Sequence, residues 1–300
     1  MTTSATLMET EMEGMDFNLN IPNRTTFSQA IEIVSHTLAT ATLSIEKDEQ
    51  EDAAVIMRID AMDNSQCCAV KMRFKCIGSV AANGIVISVK LKTLVALLKT
   101  TPSSETINIR RHSGADVVHL RCLPNMGSET HEYALKTLDV PYDPVPINDI
   151  ESHLTVEFDT QKLKSYIRVA KEIKSDVIRL RVFERDERNI VFCLSCDGDE
   201  SDAKWQYHFT NEVSENGNFQ FCVAPENMHT GASFNMPVYD ATFDCKFIDQ
   251  FVRAMDRSSV VMAMSNDANG NSQPLVIEYA LGQEEASVRF ILAPKVVELQ

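Results

Sequence analysis

The sequence patterns between Thr26 and Leu138 recur in the same order after a short proline-rich segment, which restricts the chain to two copies of one unit. In the first copy Phe27, Ala30, Ile31, Val34 and Leu38 fall at three- and four-residue steps, the spacing of one helix face. Short apolar or alternating runs follow at Thr42 to Ile45, Ala54 to Ile59, Cys68 to Phe74 and Ile85 to Val89, separated by Asp, Asn, Ser and Gly, and read as a meander of strands. Leu91, Leu94, Val95 and Leu98 form a second helical pattern that stops at Thr100-Thr101-Pro102. Strands resume at Thr106 to Arg110, Asp116 to Arg121 and Glu132 to Leu138. Pro141, Pro144 and Pro146 then disfavour both helix and central strand.

Beyond them comes a strand at Leu154 to Phe158 and a helix face of Leu163, Tyr166, Ile167, Ala170 and Ile173. Strands at Val177 to Phe183, Ile190 to Cys196 and Trp205 to Phe209 precede a helix carrying Phe247, Ile248, Phe251, Val252 and Met255, and two strands close the copy. The second helices also match in context. Leu97-Leu98-Lys99 leads through Ser103-Ser104 to Ile107, as Phe251-Val252-Arg253 leads through Ser258-Ser259 to Val260. A repeat of two units is an internal duplication, not a solenoid. The expected fold class is α+β: an N-terminal extension over 1–24, a mostly-β domain with two helices over 25–137, a connector over 138–150, and a similar domain over 151–300.

A chain of 300 residues can bury a real core. Its net charge of −15 argues against a surface generally coated with nucleic acid, so any such contact has to come from a local basic stripe. Eight cysteines are too sparse for a disulfide scaffold, and Met1 to Asn23 lacks the basic start and apolar centre of a signal peptide. An intracellular protein with reduced thiols is expected. No apolar run reaches the ~18 residues of a membrane helix, so no membrane partner is expected.

Signals for catalysis and metal binding are weak. Cys193-Leu194-Ser195-Cys196 has the C-x-x-C form, but on a strand positions i and i+3 face opposite sides, which favours structural cysteines. Cys67 and Cys68, as strand neighbours, also point apart. Asp197-Gly198-Asp199-Glu200-Ser201-Asp202 begins like a calcium loop, yet its sixth position is Asp202 instead of Gly and its twelfth is His208 instead of Glu, so it reads as a solvated acidic turn. No H-E-x-x-H, G-x-S-x-G or Gly-rich phosphate loop is present. Neither an enzyme nor a cofactor or metal is expected; the competing class is a metal- or thiol-dependent enzyme using scattered Cys and His, which bound metal or thiol-dependent turnover would reveal.

The helices carry the useful asymmetry. Lys164, Arg168 and Lys171 lie at i, i+4 and i+7, away from the face of Leu163, Ile167 and Ala170. Lys246 and Arg253 are likewise seven apart, as are Lys92 and Lys99. For any one helix an ordinary solvated face is the simpler reading. Recurrence on three helices of an acidic chain favours phosphate contact without base readout.

Pro274-Leu275-Val276-Ile277-Glu278-Tyr279 and Val288-Arg289-Phe290-Ile291-Leu292-Ala293-Pro294-Lys295 resemble the PLVVEY and LAPK ending of the DNA sliding clamp family, proliferating cell nuclear antigen type. Met62-Asp63-Asn64-Ser65 resembles the family's MDSS turn, and Leu138-Asp139-Val140 with Val145-Pro146 fits its interdomain connector. The resemblance covers about Phe27 to Lys295. It implies the DNA clamp fold, with two helices of each domain lining a ring, sheets outside, and three subunits closed around duplex DNA as a homotrimer. The edges around Ala203 to Thr210 and Ser128 to Leu135 would join neighbouring subunits. A subunit of a heterotrimeric checkpoint clamp is the alternative.

The family's channel cations fall on Lys99, Arg168, Lys246 and Arg253, with Lys92, Lys164 and Lys171 added from the helix stripes. Ser28, Gln29, Ser35 and Ala96 stand where the family places lysines. The resemblance also implies a partner-peptide pocket at Met62, Val145, Pro146, Pro274, Ile291, Ala293 and Pro294. Ile291 replaces an aromatic position and Asp143 a large apolar one, making this pocket less aromatic and more acidic. DNA polymerase, other replication and repair enzymes carrying clamp-binding peptides, and a clamp loader are the implied partners. The implied location is the nucleus or a site of viral DNA replication.

Overall fold

The computed structural model describes residues 14–49, 51, 54–82, 84–100, 106–123, 130–142, 150, 152, 154–186, 189–210, 221–223, 237–253, 259–282 and 286–295. Two compact units emerge: one comprises 1–62, 70–146 and 280–288, the other 63–69, 147–279 and 289–300. This partition differs from a single cut at the proline-rich segment in assigning 63–69 to the second unit and 280–288 to the first.

The first unit begins one strand earlier than the sequence patterns implied. Residues 15–21 are not part of an extension. They form β1 (Met15–Ile21), where Phe17, Leu19 and Ile21 are completely buried. The elements that follow are α1 (Arg24–Ser35), β2 (Thr40–Lys47), β3 (Ala54–Met62), β4 (Cys68–Val80), β5 (Ile85–Lys90), α2 (Leu91–Thr100), β6 (Thr106–His112), β7 (Val117–Leu123) and β8 (His131–Lys136). The strands run antiparallel in the order β4-β1-β6-β7-β8, with β2 between β3 and β5. Gly78 of β4 lies opposite Leu19 of β1, and a Cβ there would meet the Asn18 carbonyl oxygen at 2.2 Å. Only glycine permits this approach of the two backbones.

The second unit contains β9 (Leu154–Asp159), α3 (Thr160–Glu172), β10 (Val177–Asp186), β11 (Asn189–Asp197), β12 (Asp202–Thr210), β13 (Phe221–Val223), β14 (Tyr239–Asp244), α4 (Cys245–Arg253), β15 (Ser259–Met264) and, apart from 280–288, the strands β16 (Leu275–Leu281) and β17 (Ala286–Leu292). Among the described residues three strands, not two, follow α4. The asparagine-rich turn between Asn266 and Ser272 separates β15 from β16. One sheet is ordered β12-β11-β10-β14, and β13-β9-β15-β16-β17 form the other series. Among the described residues β8 pairs only with β7 and β12 only with β11, so each presents an open edge.

Helices and sheets are tied together by aromatic cores. In the first unit Phe27 of α1 meets Phe74 edge to face, with ring centroids 5.0 Å apart. In the second, Phe251 of α4 stacks on Phe290 at 4.1 Å, and Tyr279 meets Phe290 edge to face. Each phenylalanine fully withdrawn from water contributes roughly 1.5–3 kcal/mol of transfer free energy.

Candidate functional site

Each helix pair is built by the same local rules. Asn23 caps α1 by accepting a hydrogen bond from the Thr26 N–H at 3.1 Å, and Asp159 caps α3 by accepting from the Lys162 N–H at 2.9 Å. The apolar stripes then pack: Phe27, Ile31 and Val34 of α1 are buried, as are Leu91, Leu94 and Leu98 of α2. In the other unit Leu163, Ile167 and Ala170 of α3, with Phe247, Ile248, Phe251 and Val252 of α4, do the same. A periodic apolar face buried against a sheet forces the opposite face outward.

That outward face holds all seven cations expected from the sequence. Lys92 and Lys99 are exposed on α2; Arg168 and Lys171 are exposed on α3, where Lys164 is half-buried; Lys246 and Arg253 are exposed on α4. Four of the seven are brought together. Lys164, Arg168, Lys171 and Arg253 line a groove of about 290 Å³ between α3 and α4, with Ile167 and Val252 as its apolar part. Lys246, in the first turn of α4, lies outside that lining, and Lys92 and Lys99 belong to the first unit.

Two carboxylates that the sequence reading passed over sit among these cations. Asp249 of α4 is 14% exposed and holds both Lys171 Nζ of α3 at 2.6 Å and Arg253 Nη2 at 2.7 Å. Glu32 of α1 holds Lys99 Nζ of α2 at 2.7 Å. The Asp249 to Arg253 spacing of four was visible as a helical acid–base pair. The bonds from one helix to the next had no local signature.

The tail positions fall at the end of β17 and just beyond it. Ile291 is half-buried, the Ala293 N–H donates to the Cys67 carbonyl at 2.9 Å, and the Lys295 N–H donates to the Thr242 carbonyl at 2.7 Å. Pro294 lines a cavity of about 480 Å³ on the β10–β11–β14 face, beside Asp197, Lys295 and the bidentate Arg179–Asp240 pair. Pro274 lies half-buried before β16, and Met62 is 38% exposed at the end of β3. Val145, Pro146 and Asp143 lie outside the described residues.

The turn that follows Met62 is organised by Asp63. Burial alone would raise its pKa. The Ser65 hydroxyl, together with the N–H groups of Cys68, Ser65 and Cys67, outweighs burial and holds the carboxyl below its usual range. Beside it the Cys68 thiol is pushed far up, first by burial and then by the Asp63 charge. Cys76 is pushed up by burial to about 12 and Cys245, also chiefly by burial, to about 11, so these three are packing groups, not nucleophiles. Cys193 and Cys196 are buried on β11 as free thiols. Among the described residues no group of three or more His, Cys, Asp or Glu is arranged to hold a metal ion, and no helix is long and apolar enough to cross a membrane.

Comparison with known proteins first defines the class. The chain superposes on the crystal structure of proliferating cellular nuclear antigen from Entamoeba histolytica with a TM-score of 0.70, at 16% identity over 94% of this chain and 100% of that one. For the proliferating cell nuclear antigen of Thermococcus kodakaraensis the TM-score is 0.69, at 15% identity, covering 93% and 100%. This is the α+β fold of the sliding clamps. In sequence the chain is 25% identical over 245 residues to the proliferating cell nuclear antigen of Chaetomium thermophilum, covering 79% of this chain and 85% of the relative. No family model matches. In sequence and in fold the chain is similar to DNA sliding clamps of the proliferating cell nuclear antigen type.

Proposed function

We propose that three copies of this chain close into a ring around duplex DNA and act there as a processivity factor, tethering DNA polymerase and other replication and repair enzymes. The supporting observation is the gathering of Lys164, Arg168, Lys171 and Arg253 on one groove between two helices of a chain whose net charge is −15. Cations fixed on rigid helices attract phosphates, a contact that carries no sequence information. Lys92, Lys99 and Lys246 extend it. The ring needs no catalytic group of its own; it raises the local concentration of the enzymes it tethers.

Closure follows from the open edges. β12 of one subunit adds to β8 of the next by main-chain pairing, a head-to-tail contact that can close on itself. On the second unit, Pro274, Ile291, Ala293 and Pro294 would receive the apolar side chains of a partner peptide. A clamp loader would place the ring on DNA, in the nucleus or at a site of viral replication. The test is retention on circular and linear duplex after loading. A ring stays on a closed circle at high salt and runs off once the circle is cut; equal loss from both would contradict encirclement.

A further inference from the structure

We propose that the α3–α4 groove is a seat for a DNA phosphodiester which the free chain fills with its own carboxylate, that of Asp249. Asp249 lies deeper than the groups it holds: its side chain is 14% exposed, against 42% for Lys171 and 62% for Arg253. An anion bridging two cations at 2.6 and 2.7 Å inside a groove lined by four cations occupies the place that a phosphate oxygen would take. An ammonium has three donors and a guanidinium five, so both cations keep donors for an incoming phosphate, but at reduced net charge.

The first unit repeats the arrangement. Glu32 of α1 bonds Lys99 of α2 at 2.7 Å, so in both helix pairs a carboxylate from one helix neutralises a cation on the other. The consequence is a weakened contact. Phosphate approaches against a fixed negative charge well within the Debye length, and cations already neutralised by protein release fewer condensed ions from DNA. The pair of carboxylates keeps the face attractive to DNA without holding it in one place, as sliding requires.

This inference rests on the duplex-binding reading above, and two variants separate them. Fluorescence anisotropy of a labelled duplex with the full chain, over a salt series, is measured for wild type, Asp249→Asn and Arg168→Glu. Asp249→Asn is expected to tighten association roughly two- to five-fold, and to steepen the salt dependence by about 0.9 for each phosphate newly engaged. The gain should vanish in an Asp249→Asn, Lys171→Gln double variant. Unchanged or weaker binding by Asp249→Asn, or a gain that survives loss of Lys171, overturns the self-filled seat. Arg168→Glu tests the reading beneath it: if association is unaffected, the duplex face lies elsewhere, whereas weakening there with no gain from Asp249→Asn removes only the seat. Should Asp249→Asn lower the melting temperature, Glu32→Gln carries the same test in the other unit, with a gain supporting the arrangement and no gain overturning it.

Discussion

The two helix pairs share a packing plan and differ in what they show to solvent. On the buried side, α1 and α2 offer Phe27, Ile31, Val34, Leu91, Leu94 and Leu98, while α3 and α4 offer Leu163, Ile167, Ala170, Phe247, Ile248, Phe251 and Val252. On the outer side, α1 and α2 carry Arg24, Lys92 and Lys99 against Glu32, whereas α3 and α4 carry Lys162, Lys164, Arg168, Lys171, Lys246 and Arg253 against Glu172 and Asp249. Arg24 is further withdrawn, since its guanidinium donates to the Leu98 carbonyl at 2.5 Å. Apolar periodicity is what the fold requires of both pairs. The polar face is not bound by that requirement, and it is there that the second pair carries more cations than the first.

The largest expected effects test the shared half of this comparison. Phe251→Ala and Phe27→Ala should each cost about 3–5 kcal/mol, because each removes a buried ring and leaves a cavity. Denaturant unfolding measures both, and a small loss in either would break the equivalence of the two cores. Next comes the divergent half. Arg168→Glu with Arg253→Glu should weaken duplex association tenfold or more, about 1.4 kcal/mol, with the fold and the subunit assembly intact. Lys92→Glu with Lys99→Glu should cost less, since α1 and α2 present fewer cations than α3 and α4. Equal losses in the two double variants would erase the asymmetry.

A smaller effect bounds the pH range in which these comparisons hold. Asp63 has a lowered folded-state pKa, so its contribution to stability is present above the unfolded value of about 3.9 and is lost as pH falls through the folded value. Stability should therefore fall with acid below about pH 4, and Asp63→Asn should make that fall shallower in acid-unfolding curves. An unchanged slope would assign the acid sensitivity to other carboxylates.

The legible part of the fold was the part with a strong period. The four helices among the described residues follow from three- and four-residue apolar steps, and their outward cations follow from the same wheel. β1 carried its own signal, since Met15, Phe17, Leu19 and Ile21 alternate with polar residues, but the polar stretch before it masked the run. Tyr239, Ala241 and Phe243 of β14 alternate in the same way and were hidden next to the start of a helix. Glu32 was legible only as a charged residue on a helix, and Asp249 only as the acid of an i,i+4 pair with Arg253. Apart from Arg253, four residues from Asp249 on the same helix, their partners come from another helix, Lys171 78 positions earlier than Asp249 and Lys99 67 positions later than Glu32, and such pairings are fixed by tertiary packing, which no local pattern encodes.

Assembly is the claim on which the proposed function stands or falls. Native mass spectrometry of the full chain at several micromolar dilutions in near-physiological ionic strength addresses it directly. The account requires a species of three chains, each of 33.6 kDa, persisting on dilution and lost when charge is placed on the exposed edge of β12. A chain that remains monomeric throughout the series would contradict it.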